Sequence, residues 1–132
     1  MKKIYEFNNE IYPRKLWVVY DSEETVMSSF VGTEDEEITE DAFSGAFATT
    51  LEVVKKGDLG WKGVVIHYGK NLLVEGGSQT VSTITHESIH AANIIFREIG
   101  VNYTKFDDEH FAYLAGCIAR MSWKVLQNYL TK

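Results

Sequence analysis

Between Thr80 and Ile99 the chain carries two stripes at helical spacing, and they constrain its fold more than any other segment does. Ile84, Ser88, Ala91 and Ile95 form a small and apolar stripe, while His86, His90, Asn93 and Arg97 form a polar one. Residues three and four apart share a face of an α-helix, so the pattern predicts a helix with one side on a core and the other open. Ser78 or Thr80 is suited to cap its start. Gly100 suits the left-handed position just past its end.

Such a helix needs an apolar surface to lie on, and the flanking sequence supplies two kinds. Upstream, the second half of Ile11–Tyr20 is rich in β-branched and aromatic residues and reads as a strand, with Pro13 at its start or on an edge. Thr49–Val54 and Lys62–Tyr68 flank the turn-rich stretch Lys56-Gly57-Asp58-Leu59-Gly60 and predict an antiparallel hairpin. Downstream, apolar positions from Phe111 to Leu126 predict a second helix, beginning near Asp107 or Asp108 and running towards Leu130. The connection from Gly100 to Phe106 is short enough to make the two helices antiparallel neighbours. The expectation is an α+β fold in one domain, 1–132: a small, mostly antiparallel sheet of three or four strands beside two main helices. The acidic stretch 21–41 reads as a solvated loop ending in a short helix near Ile38–Phe43, in a position to cover a cleft.

The polar stripe contains His86-Glu87-Ser88-Ile89-His90, the H-E-x-x-H spacing. Imidazoles one turn apart can ligate one Zn²⁺ together, and Glu87, about 100° round the same turn, can face a metal-bound water as general base. A catalytic zinc usually has three protein ligands. Glu109 is the best-placed third, with His110 and Asp108 on the same turn as alternatives. Acids at that position equally suit a helix N-terminus. An oxyanion donor is also required, and Tyr68, Tyr103, Tyr113 and His67 are all candidates. The strand Val64–Tyr68, if at an edge, can pair with an extended peptide.

The motif helix followed by Asp108-Glu109-x-x-Ala112-Tyr113-Leu114 resembles the gluzincin branch of zinc metallopeptidases. More closely it resembles minimal single-domain gluzincin-like proteins, including those of phages and prophages. The resemblance spans roughly residues 11 to 130, with its specific part at 83–113. It implies a zincin-like core, a twisted sheet packed on the motif helix, and Glu109 as third ligand from the following helix. The metzincin pattern is excluded, because Asn93 and Phe96 stand where it requires Gly and His.

Composition narrows the function classes. A net charge of −6 argues against nonspecific nucleic-acid binding, and no run approaches the ~18 apolar residues of a membrane span. One cysteine, Cys117, and an N-terminus without a secretory apolar region point to the cytoplasm. The reading is a zinc-dependent hydrolase, a metallopeptidase acting on a peptide or protein. The alternative is a zinc-stabilised binding or regulatory module that keeps the motif without using it.

Overall fold

A computed structural model of the chain describes residues 4–8, 14–20, 22–43, 47–57, 62–70, 72, 77–100 and 109–130. Strands β1 (Ile4–Asn8) and β2 (Lys15–Tyr20) lead into helix α1 (Glu23–Ser29) and the two-residue strand β3 (Phe30–Val31). A 3₁₀ turn (Glu40–Phe43), β4 (Ala48–Lys55) and β5 (Lys62–Tyr68) follow, then the long helices α2 (Gly77–Glu98) and α3 (Glu109–Leu130).

The class is α+β, as expected, and the 49–54/62–68 hairpin forms with Thr50 opposite Ile66. The expected sheet needs correcting: it has five strands in the order β1-β2-β5-β4-β3, and it is mixed. β2 runs parallel to β5, with Lys15 opposite Gly63 and Tyr20 opposite Tyr68. β5 is therefore central, and Val64–Tyr68 has no free edge for a peptide. β1 ends the sheet on one side, and on the other β4 offers a free edge, meeting β3 only at Val54 and Lys55. Among the described residues its stretch 48–53 has no strand on that side.

Both faces of the sheet are covered, which is why β2 and β5 read as continuous apolar runs rather than alternating ones. On one face Leu16, Val18, Val64, Ile66 and Tyr68 pack against Ile84, Ala91 and Ile95 of α2 and Leu114, Ile118 and Val125 of α3. On the other, Trp17, Val19, Val53 and Val65 meet Val26, Phe30 and Phe43. Trp17 anchors that second layer: its ring lies 5.0 Å from Phe30, and its indole N–H donates to Glu6 Oε1 at 2.8 Å. That hydrogen bond, helped by Lys15, holds the Glu6 carboxyl below its ordinary value. A buried indole N–H left without a partner would cost about 1–3 kcal/mol.

α1 sits where a loop was expected. Ser22 caps it, accepting from the Thr25 amide at 3.1 Å, and Glu23 and Glu24 occupy the first turn, where acids suit the helix dipole. This acidic part of the chain packs on the sheet face away from α2, so it does not cover the histidines. α2 begins at Gly77 (φ 53°), upstream of the expected caps; Ser78 is its second residue, and Thr80 is inside it and buried. Its end is as expected, with Gly100 at φ 75° and its amide donating to Arg97 O. α3 runs back along α2, the Phe96 and Phe111 rings 5.8 Å apart at the shared end. Among the described residues no helix is long and apolar enough to cross a membrane.

Candidate metal centre

α2 divides its residues as the two stripes predict. Ile84, Ser88, Ala91 and Ile95 are buried, while His86, His90, Asn93 and Arg97 are exposed. The two imidazoles meet on the open face, with Nε2 of His86 and Nε2 of His90 3.0 Å apart and the rings edge-on at 4.6 Å. Two donors each 2.0–2.1 Å from a tetrahedral zinc stand about 3.4 Å apart. The pair is thus close to the bite that one ion needs. His86, Glu87 and His90 bring their donor atoms within 4.8 Å of one another, a group able to hold a metal ion.

Glu87 differs in kind from its neighbours. The His86 side chain is 68% exposed, but that of Glu87 is only 8% exposed, turned under the helix towards β4. The Thr50 hydroxyl donates to its Oε1 at 2.9 Å, while Oε2 lies 3.8 Å from His86 Nε2. An open pocket of about 230 Å³ begins at this carboxylate, lined by Phe47, Ala48, Gln79, Ser82, Thr83 and His86. Gln79 donates to the Thr83 hydroxyl at 3.1 Å along its wall.

Glu109 is not brought into this cluster. It is exposed, in the first turn of α3, outside the group of donor atoms that gathers among the described residues, and two contacts describe how α3 lies on α2. Phe111 lies beside Phe96, six residues and about 9 Å of helix beyond His90. Ile95, which lines a small apolar cavity with Leu114, Cys117 and Ile118 of α3, points roughly 140–180° round from the histidines by the 100° helical step. His110 is exposed on the same turn; Asp108 lies outside the described residues.

The oxyanion candidates separate as well. His67 is buried on the opposite face of the sheet, edge-on to Phe43 at 5.1 Å. Tyr68 faces α2 but is fully buried, and burial, with the charge of Glu87 adding to it, pushes its hydroxyl well above the ordinary value. It stays protonated beside Ser122, yet it cannot touch a substrate. Tyr113 is 65% exposed on the outside of α3, and Tyr103 lies outside the described residues. Arg97 pairs with Glu52 of β4 at 2.8 Å, tying the end of α2 to the sheet.

The sequence reading missed Thr50, which stands 37 residues from Glu87 with no spacing to announce it. It also missed Phe47, Gln79 and Ser82 as pocket walls. No protein-family model matches the chain, and no curated protein or solved structure does either.

Proposed function

We propose that this protein is a zinc-dependent hydrolase of peptide bonds, with His86 and His90 holding the metal and Glu87 as general base. The observation that carries this reading is the division of labour on one helix turn. Two exposed imidazoles stand 3.0 Å apart, and a buried carboxylate beside them is oriented from the sheet. A site built only to bind metal has no need of the third residue. Zinc, when bound, supplies a Lewis acid and lowers the pKa of a coordinated water towards ~7. Glu87 takes a proton through its Oε2 side and returns it to the leaving amine. The outer edge of β4, unpaired over 48–53 among the described residues, runs into the pocket at Ala48. It gives an extended peptide main chain a strand to pair with. The resemblance to minimal gluzincin-like proteins supports the same reading.

The test is cleavage of a peptide library by zinc-loaded protein and by Glu87→Gln. The variant is expected to keep its metal and lose about 10²–10⁴-fold in rate. Equal cleavage by the two would sink the mechanism. Zinc that raises the melting temperature while no peptide is cut would favour the binding-module alternative. Glu109→Ala belongs in the same experiment. Unchanged zinc content means two imidazoles and solvent suffice, and loss means the first turn of α3 supplies the third ligand.

A further inference from the structure

We propose that Thr50 is a positioning residue for Glu87, so that the strand bordering the pocket sets the direction of the base. The purpose of this tether rests on the hydrolase reading; its existence does not. A buried carboxylate must find hydrogen-bond donors or suffer for its lost hydration. Glu87 finds one in the Thr50 hydroxyl, 2.9 Å from Oε1. The same hydroxyl stands 3.4 Å from the Glu87 main-chain oxygen. It has a single proton to give, and the shorter, charge-assisted contact takes it. The two carboxylate oxygens are thereby made unequal. Oε1 is fastened to the sheet, and Oε2 is left on the side of His86.

The fastening point is itself fixed. Thr50 is opposite Ile66 in the β4–β5 ladder, and a β-branched side chain has little χ1 freedom. Its same-face neighbours on β4 also serve α2 or the pocket, Ala48 as a pocket wall and Glu52 as the partner of Arg97. A peptide paired with the outer edge of β4 would lie on the strand that orients the base. Substrate seating and base direction then share one element, which is the geometric condition for a productive approach.

Thr50→Val removes the hydroxyl at nearly constant volume, and Thr50→Ser restores it. In the metal-free protein, the three-bond Cα–Cδ coupling of Glu87 reports χ2 directly. One rotamer is expected in wild type and Thr50→Ser, and an averaged value in Thr50→Val. In the zinc-loaded protein, Thr50→Val is expected to lower kcat about 10- to 100-fold with KM within about 2-fold, and Thr50→Ser to recover most of it. A wild-type coupling in folded Thr50→Val would overturn the proposal, as would failure of Thr50→Ser to rescue. Should Thr50→Val not fold, Thr50→Ala removes the same hydroxyl. Absence of hydrolysis in every variant would remove the hydrolase reading, while the coupling still decides the tether.

Discussion

Gly63→Ala tests the part of the fold that positions the site. Gly63 lies opposite Lys15 where β2 runs parallel to β5. A Cβ there would overlap the Lys15 carbonyl oxygen and stand 2.7 Å from Cζ3 of the fully buried Trp17 ring. Neither neighbour can swing away, one being backbone and the other packed on all sides. In an open strand position, alanine would be favoured over glycine by roughly 0.5–1 kcal/mol. Overpacking a close-packed core costs about 1–3 kcal/mol, and two rigid neighbours place this case at the upper end. The net expectation is a loss of about 2 kcal/mol. With a urea slope of about 2 kcal/mol/M, the unfolding midpoint should fall by about 1 M. Equilibrium urea unfolding followed by Trp fluorescence reads this directly. An unchanged or higher midpoint would refute the parallel register. With it would go the placement of Ile66 and Tyr68 beneath α2.

Saturating zinc, at about 100 times its Kd, should add about 2.7 kcal/mol of stability and raise the Tm of a chain this size by about 10 °C, with a chelator reversing the gain. Differential scanning fluorimetry checks it, and His90→Ala should be indifferent to the metal. The Glu52–Glu98 pair gives a pH signature. Their shared hydrogen bond holds Glu52 below and Glu98 above the ordinary value of 4.5, with burial adding to the rise at Glu98. The contribution of Glu98 is complete below 4.5 and is lost as pH climbs through its raised value; that of Glu52 is present above 4.5 and is lost as pH falls through its lowered value. Glu98→Gln keeps the donor and removes the charge. It should be more stable than wild type at pH 7 by less than about 1 kcal/mol and no more stable at pH 4. Urea midpoints at the two pH values decide, and a gain confined to acid pH would contradict the pairing.

What the sequence made legible was local. The two stripes of α2 fix both its buried face and the meeting of His86 with His90, because each rests on spacings of three and four residues. The β4–β5 hairpin is equally plain, since Thr49–Val54 and Lys62–Tyr68 are joined by a glycine-bearing turn. The parallel β2–β5 pair has no such local mark. Its hint was the unbroken apolar run in Leu16–Tyr20 and Val64–Ile66, the pattern of strands covered on both faces. α1 was signalled by Ser22 before Glu23 and Glu24, a cap followed by first-turn acids, but the surrounding acidity reads equally well as loop. Thr50 and the pocket walls come together only through tertiary packing, which also leaves Glu109 out of the group that His86, Glu87 and His90 form among the described residues. Spacing along the chain does not encode these.

The most direct test of the central claim is metal content by mass spectrometry on protein purified without a metal-affinity tag and reconstituted with zinc at neutral pH. Wild type, His86→Ala and His90→Ala are compared. The account predicts about one zinc per chain in wild type and its loss in both variants, because one ion requires both imidazoles at their 3.0 Å spacing. No zinc in wild type, or equal zinc in the histidine variants, would contradict it.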